Sequence, residues 1–565
     1  MSMKKKTKLA AVVAPVLAVS VALTACGGND QNTNTEPKKE GKGEEKLAAK
    51  QVLNLLETQE IPSMDSVKAT DAVSFNVMNN VMEGLYRLDK DQKPTPGVAE
   101  SFQKSDDGKT YTFKLRKDAK WSNGDPVTAK DFVFAWQRAV NPETAAEYAY
   151  IMFDVKNAEK INKKELPVDQ LGVKAIDDQT LEVQLENAVP YFVELTSFAT
   201  FYPQNEKFIK EQGAKYALEA NTGVYNGPFV LSEWKHEQSF KLTKNDKYWD
   251  NKTVKLTEIN FNIVKDIGTG VNLYEAGDVD RAPLSAEFVD KYKSSPELVT
   301  SKDASVFFLR FNQKRGGQDT PLANLKVRQA LSMSFDKAGI TNVILNNGSV
   351  PADYLVPQDF VKGADGKDFR ATNGAMNKFN ADKAKKLWEE AKKELGKDQL
   401  TIELLNYDTE AAKKIGEYLK AQMEKNLPGL TVNIKQQPFK QKLDIESKED
   451  YEMSYAGWGP DYPDPMTFID MFVTKGAHNQ MNYSNPKYDQ LVKDGKTTLT
   501  TDPKKRLEAL AQAEKILFED AAIAPLFQRG TSSLMRSNVK GLVEHNFGGE
   551  FSYKWGYLTE KEDKK

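Results

Sequence analysis

The chain has 565 residues, a formal net charge of −2 from 79 basic and 81 acidic residues, three histidines and one cysteine. Mixed charge is typical of a solvated surface and argues against nucleic-acid binding, and a single thiol excludes a disulfide framework. The length exceeds what one hydrophobic core usually serves, so we expect two or three lobes.

The chain begins like an exported protein. Lysines open it, the run 9–22 is apolar except for Ser20, and small residues lead to Cys26. A basic start, a short apolar run and a small-residue cleavage site are typical of a secretory signal peptide over residues 1–25. Leu23-Thr-Ala-Cys26 resembles the lipobox of bacterial lipoproteins, which implies that Cys26 carries lipid. The alternative is an uncleaved anchor with an incidental thiol.

Residues 26–46 are predicted to form a lipidated, flexible tether. Gly27 to about Glu45 consists mainly of Gly, Asn, Thr, Lys and Glu with almost nothing to bury, so ordering it would cost more entropy than packing returns. We therefore expect a protein held by its lipid at the extracytoplasmic face of the cell membrane, which is the cell surface or the periplasm depending on the envelope.

Beyond the tether, strand and helix patterns alternate along the chain. The predicted strands are Val52–Leu56, Tyr111–Arg116, Leu181–Leu185, Phe229–Trp234, Val306–Asn312, Leu400–Leu405, Leu430–Gln436 and Tyr451–Tyr455. Helical spacing begins at Asp71, gives way to a short strand by Leu88, and recurs after the N-cap Thr128 and across Leu325–Ser334, Ala381–Leu395 and Ala411–Asn426. Alternation of this kind predicts an α/β protein.

Motifs of common enzyme chemistry are absent from the sequence. His236 is followed by Glu237, but Phe240 stands where a zinc-protease helix needs its second histidine. No nucleophile elbow, Walker loop or dinucleotide fingerprint occurs. Asp278 and Asp280 could form a glycosidase pair, although adjacent acids on turns are usually solvated. We expect no catalytic residue, no metal and no cofactor.

Several stretches, in order over about residues 50–555, resemble the oligopeptide-binding proteins of ABC importers, solute-binding protein family 5. They are Pro94-Thr-Pro-Gly-Val-Ala-Glu-Ser101, Asp107 to Val133 with Lys120-Trp-Ser-Asn-Gly-Asp-Pro126 inside it, Asn221-Thr-Gly-Val-Tyr-Asn-Gly-Pro-Phe229, Asn245-Asp-Lys-Tyr-Trp-Asp-Asn251 and Leu325-Lys-Val-Arg-Gln-Ala-Leu-Ser332. The aromatic residues of the second stretch and the helix after it are expected in the core: Tyr111, Phe113, Trp121, Phe132 and Trp136.

The resemblance implies a two-lobed, periplasmic-binding-protein-like fold of type II, in the large peptide-binding subclass, with an extra third domain and a hinge. Domain I is expected to be discontinuous, over residues 47–76, 201–304 and 526–565. Domain II is expected over 77–200 and domain III over 305–525.

Ligand recognition is predicted at Tyr455-Ala-Gly-Trp-Gly-Pro-Asp461. Gly457 and Gly459 bracket Trp458, and glycine lets another backbone approach closely, so a peptide could pair there as an added strand. From the residues alone, Asp461 could bind a cation or form an Asx turn between prolines. The resemblance implies that Asp461 holds the α-ammonium of the ligand, that Trp458 flanks a side-chain pocket, and that a segment including Glu60 and Ile61 borders the peptide.

The sequence departs from family members that prefer very short peptides, whose basic groups meet the ligand's carboxylate. Tyr455, Ala412 and Glu446 stand at three such positions, and Lys314 alone is kept. We therefore predict a site that fixes the amino end of the peptide and tolerates longer peptides or a different length register.

By the same resemblance, the partners are oligopeptides and an ABC permease with its ATPase subunits, and the protein is expected to be a monomer that closes around its ligand without catalysis. The alternatives are a peptide-pheromone receptor with the same fold, a carrier of nickel chelates, haem or sugars, and an envelope hydrolase. The scarcity of histidine argues against metal or haem cargo.

Overall fold

A computed structural model describes residues 46–374, 376 and 378–561 of the chain. The predicted signal peptide, Cys26 and all of the predicted tether except its last residue lie outside the described residues. Within those ranges, no helix is both long and apolar enough to cross a membrane.

The first sheet is mixed and begins with β1 (Val52–Glu57). This strand pairs in parallel with Glu258–Ile263, which is followed by antiparallel Ser239–Lys244 and Phe229–Lys235. Leu53 and Leu55 alternate with more exposed neighbours and are buried in the core, as the apolar pattern predicts. Pairing and burial of this strand therefore fix the position of its last residue, Glu57.

A second, antiparallel sheet follows in the order Ala99–Lys104, Thr110–Leu115, Thr180–Gln184 and Val173–Asp177. A helix over Ala129–Val140 packs against it and begins at Thr128, whose capping box with Asp131 satisfies free N–H groups of the first turn. The aromatic residues predicted to be core are all buried: Tyr111, Phe113, Trp121, Phe132 and Trp136. Before this sheet, α1 (Ala72–Val81) begins at its N-cap Asp71.

The largest sheet of the described residues contains four labelled strands: β2 (Leu298–Phe311), β3 (Leu400–Tyr407), β4 (Met453–Trp458) and β5 (Ile523–Met535). Its order is Arg281–Leu284, β5, β2, β4, β3 and Leu430–Gln437, with Val350–Pro351 added to β5. β3 is parallel to both of its neighbours, and the other pairs are antiparallel. Two helices beside this sheet position the site: α2 (Glu410–Asn426) and α3 (Phe439–Ser447).

The remaining elements are shorter or peripheral. The other helices are Ala158–Asn162, Phe192–Leu195, Glu206–Gln212, Ile267–Ala276, Glu287–Lys291, Leu325–Ser332, Lys337–Gly339, Arg370–Asn373, Ala381–Leu395, Met466–Ile469, Pro486–Lys496 and Pro503–Glu519. The two-stranded ribbons pair Tyr86–Leu88 with Pro94–Pro96, Lys314–Arg315 with Gln318–Asp319, Val539–Lys540 with Tyr557–Leu558, and Val543–Glu544 with Phe551–Ser552.

The predicted α/β class is confirmed, and the predicted strands are all found within one or two residues of their bounds except two, which differ by more at one end. β2 begins at Leu298 rather than Val306, and passes through an irregularity between Lys302 and Val306. β4 covers Met453–Trp458 rather than Tyr451–Tyr455, because pairing with β2 continues through Gly457 and Trp458. The predicted domain boundaries stay predictions; β2 and β5 run across two of them.

Candidate functional site

A cavity of about 640 Å³ lies where the elements described above converge. Its walls are the end of β1, the first turn of α1, the start of α2, one face of α3, the second half of β4 and the loop between Val543–Glu544 and Phe551–Ser552. This volume is within the range of about 300–1,000 Å³ that is usual for ligand sites.

One edge of β4 is open beside this cavity. On one side, β4 pairs with β2 over its whole length. On the other side, β3 pairs only with Met453 and Ser454, after which the two strands diverge, and Tyr455–Trp458 have no strand partner there among the described residues. An open strand edge presents main-chain N–H and C=O groups in an extended row. The arrangement can accept an extended peptide as an additional strand.

Asp461 lies in the loop just after β4 and lines the cavity. Its residue is 5 % exposed, and its main-chain N–H donates to Thr467 Oγ1 at 3.0 Å. The Tyr148 hydroxyl donates to Oδ1 at 3.4 Å, whereas Oδ2 has no hydrogen-bond partner among the described residues. Burial, and then the like charge of Asp470, raise the pKa of Asp461 well above its usual value. A raised pKa favours the protonated, uncharged carboxyl in the ligand-free protein, and a cation bound beside it favours the carboxylate again.

Trp458 is held in a cluster of rings next to Asp461. Its indole is parallel to the Tyr148 ring, with centroids 6.1 Å apart, and the His478 imidazole meets it edge-on at 4.8 Å. Trp458, Tyr148 and His478 all line the cavity. The three rings come from separate segments of the chain, and together they form the aromatic part of the cavity wall next to Asp461.

Tyr455 and the two glycines also line the cavity but differ in their surroundings. Tyr455 is buried against Phe307 and Tyr407 on the face of the sheet opposite Trp458. A Cβ at Gly457 would lie 2.6 Å from the Phe307 ring, so glycine is required there by internal packing. Gly459 is exposed, and a Cβ there would meet only the Ser305 hydroxyl at 3.0 Å. The sequence predicts that Gly457 makes room for a ligand backbone. In the structure, the missing Cβ makes room for the Phe307 ring.

Three predicted site residues do not line the cavity. The carboxylate of Glu60 accepts hydrogen bonds from Trp234 Nε1 at 2.6 Å and from the main-chain N–H of Glu237, which turns it away. Ile61 is buried in the hydrophobic core. Lys314 lies in an exposed two-stranded ribbon. The structure brings together Tyr455, Gly457, Trp458, Gly459 and Asp461, and leaves these three outside.

The positions that lack the family's basic groups do lie on the cavity wall. Ala412, Tyr455 and Glu446 line it, and Glu446 is held by Lys442 Nζ at 2.8 Å and by the Ser454 hydroxyl at 2.6 Å. None of the three presents a cation to a ligand.

Sequence reasoning missed several cavity residues. Arg529 and Lys265 are cations of the wall, and both are already paired. Arg529 is bound by Asp303 and by Glu550 at 2.9 Å, and Lys265 is 2.8 Å from Asp408. Tyr148 and His478 were missed as well; the closely spaced tyrosines at 148 and 150 and the rarity of histidine are the only sequence signals. Within the described ranges, no cluster of three or more His, Cys, Asp or Glu residues could hold a metal ion.

Comparison with known proteins gives consistent matches over the length of the chain. Residues 93–480 match the family model "Bacterial extracellular solute-binding proteins, family 5 Middle". The chain is 36 % identical to the dipeptide-binding protein DppE of Bacillus subtilis, over 94 % of this chain and 96 % of that protein.

Solved structures agree. The substrate-binding domain of an oligopeptide ABC transporter from Bacillus anthracis matches with a TM-score of 0.90 and 62 % identity, over 91 % of this chain and all of that one (100 %). The pheromone receptor PrgZ, solved to show its mode of peptide binding, matches with a TM-score of 0.87 and 37 % identity over the same shares, 91 % and 100 %.

Proposed function

Because the chain belongs to family 5 of the bacterial extracellular solute-binding proteins and has their two-lobed type II fold, we propose that it binds oligopeptides in this cavity and delivers them to an ABC permease for import. Its relatives are solute-binding proteins and act outside the cytoplasm. We assign no catalytic step to it.

The observation that carries the proposal is the Asp461 carboxylate. It is buried in the cavity wall, lacks a cationic partner among the described residues and has an oxygen with no hydrogen-bond partner. The α-ammonium of a peptide supplies both the opposite charge and the missing donors, and a charge-assisted hydrogen bond is about twice as strong as a neutral one. We therefore propose that Asp461 holds the amino end of the ligand.

The open edge of β4 gives the peptide its direction. With its ammonium at Asp461, an extended peptide runs back along Gly459, Trp458, Gly457 and Tyr455 and pairs with their main chain. Main-chain pairing gives affinity with little dependence on sequence, and Trp458 contacts a ligand side chain. The proposal assigns no ligand contact to the side chains of Glu60, Ile61 and Lys314, which do not line the cavity, although Gln59 and Pro62 beside the first two do.

The far end of the peptide is held less firmly in this proposal. Ala412, Tyr455 and Glu446 offer no positive charge, and two cations of the wall, Arg529 and Lys265, already have acidic partners. Four further basic residues line the cavity away from those three positions: Lys68, Arg310, Lys440 and Lys448. A terminal carboxylate can meet different cations according to the length of the peptide, so peptides of different length are tolerated. This supports the predicted tolerance for longer peptides or a different length register.

We further propose that the protein closes around its ligand, and contacts between the segments predicted as domains II and III support this. Tyr148 donates to Asp461, and the Ser447 hydroxyl donates to Glu147 at 2.6 Å. A peptide between these segments adds contacts to both and favours the closed state. We further propose that a lipid on Cys26 holds a monomer at the membrane near its permease.

A pheromone receptor is the second candidate, and the match to PrgZ favours it specifically. The two functions share one fold and differ in ligand selectivity. Mass spectrometry of peptides that co-purify with the protein separates them: a mixture of lengths and sequences supports nutrient uptake, and one dominant peptide supports signalling. Calorimetry with a nested peptide series then tests length. Tight binding to tripeptides alone contradicts the length proposal, and binding of no peptide overturns the function.

A further inference from the structure

Four rings form a cluster beside Asp461, and His478 lies at its centre. The imidazole contacts Trp458 at 4.8 Å, Tyr148 at 4.9 Å and Tyr150 at 5.0 Å between centroids, edge to face in each case. Tyr148 and Tyr150 are 5.5 Å apart. Aromatic pairs at these separations are in close contact, so a further ring cannot be inserted between them.

Hydrogen bonds of the next two residues, Asn479 and Gln480, hold the chain just after His478 in place. The Asn479 amide that follows it donates to main-chain carbonyl oxygens of neighbouring loops at 2.7 and 2.9 Å. Gln480 accepts from Arg310 at 2.6 Å, and the Tyr451 hydroxyl donates to its carbonyl oxygen at 2.6 Å. The imidazole therefore cannot move aside without breaking ring contacts, because its backbone is fixed.

The His478 imidazole is uncharged and incompletely bonded. Burial, aided by the positive charge of Arg310, lowers its pKa to about 3. An uncharged ring does not repel an ammonium bound at Asp461. Its Nε2 is buried and has no hydrogen-bond partner in the described part of the chain, so it can bond one small polar group.

We infer that His478 determines which first side chain the site accepts. The imidazole fills the space next to Asp461 and Trp458, so peptides that begin with a small residue bind better than peptides that begin with a bulky one, and serine gains a hydrogen bond to Nε2. This inference rests on the proposed function, because it takes Asp461 as the position of the peptide's ammonium. A bulky first side chain must displace a ring that contacts three others.

Calorimetry on the purified protein tests this with tetrapeptides that differ only in the first residue: glycine, alanine, serine, leucine or phenylalanine. We expect the wild type to bind the alanine and serine peptides about tenfold or more tightly than the phenylalanine peptide. His478→Ala should reduce that ratio to near one, chiefly by improving the phenylalanine peptide. His236→Ala is the matched control, since His236 is half-exposed outside the cavity, and it should leave the ratio unchanged.

Equal affinities across the wild-type series, or an unchanged ratio in His478→Ala, would overturn the inference while the proposed function stands. No binding of any peptide would overturn both. Should His478→Ala fail to fold, His478→Asn keeps a polar group in a smaller side chain, and the wild-type series by itself still decides whether size is selected.

Discussion

Two aspartates of one loop, Asp461 and Asp464, are buried alike but are satisfied differently. Their residues are 5 % and 6 % exposed. Asp464 accepts two parallel hydrogen bonds from the Arg506 guanidinium, at 2.7 and 2.8 Å. The Asp461 carboxyl accepts from the Tyr148 hydroxyl at 3.4 Å, with a further contribution from Tyr150, and its Oδ2 has no partner within hydrogen-bond distance among the described residues.

This difference assigns Asp464 to the stability of the fold and Asp461 to ligand binding, although the two lie only a few residues apart. The Asp464–Arg506 pair joins the loop to the helix Pro503–Glu519 and is complete without a ligand. Asp461 faces the cavity, and burial beside Asp470, with no cation among the causes that act on it, raises the pKa of its carboxyl well above the usual value. A buried carboxylate that the fold satisfies is structural, whereas one that the fold leaves incomplete is available to a cationic ligand.

The largest effect is expected on stability, at Asp464. Asp464→Asn leaves the Arg506 guanidinium buried without its counterion, which should lower the free energy of unfolding by about 3–5 kcal/mol. Chemical denaturation measures it. If the loss is under about 1 kcal/mol, the pair is not structural and the comparison fails.

Asp461→Asn should weaken peptide binding and leave the stability of the fold nearly unchanged. Peptide affinity should fall by roughly 100-fold, about 3 kcal/mol, because a charge-assisted bond to the ammonium is lost. The free energy of unfolding of the ligand-free protein should stay within about 1 kcal/mol, since no internal ion pair is broken. Calorimetry and denaturation on the same sample give both values. A large stability loss with unchanged affinity would reverse the two assignments.

Gly457 and Gly459 allow a second comparison, between a glycine that is packed against a ring and one that is exposed. Gly457→Ala places a methyl group against the Phe307 ring and should cost about 2 kcal/mol of stability. Gly459→Ala meets only the Ser305 side chain at an exposed position, where a slight shift of the loop relieves the contact, and should cost less than about 0.5 kcal/mol. Thermal melts of both variants check this, and equal losses would contradict it.

The smallest effect concerns Glu57, another cavity carboxylate without a basic partner among the described residues. Burial is the main reason that the pKa of Glu57 rises from 4.5 to about 7. The like charge of Glu550 also raises this pKa, whereas the hydrogen bond from Thr58 lowers it. The folded protein therefore binds this proton more tightly than the unfolded chain, which favours folding below about pH 4.5, and the benefit is lost as the pH rises to about 7.

Glu57→Gln should make the decline in stability of the ligand-free protein over this pH window shallower, by roughly 1 kcal/mol after screening by solvent. Denaturation at several pH values measures the slope. A slope that is identical in wild type and variant would show that Glu57 has an ordinary pKa.

Local sequence predicts most of the elements and one part of the site. The helix Ala381–Leu395 has its predicted bounds because both ends carry local signals, the cap Asn380 and Gly396 with a φ of 63°. The predicted bounds of β4 are wrong because the end of this strand depends on its pairing with β2, which lies far away in the sequence.

The site follows the same division. Asp461 and Trp458 stand in one motif and could be predicted together. Tyr148 and His478 reach them only through the tertiary fold, and Glu60 is turned toward Trp234 by contacts that no local pattern contains. Residues that share a motif are predictable, and residues that meet across segments are not.

The central claim is that Asp461 holds the amino end of a peptide, and one calorimetric cycle tests it most directly. The cycle compares a free tetrapeptide with its Nα-acetylated form, on the wild type and on Asp461→Asn. Acetylation should weaken binding to the wild type by roughly 100-fold and binding to the variant by less than about threefold, because the two changes remove the same interaction. An equal loss on both proteins would place the ammonium elsewhere and contradict the account.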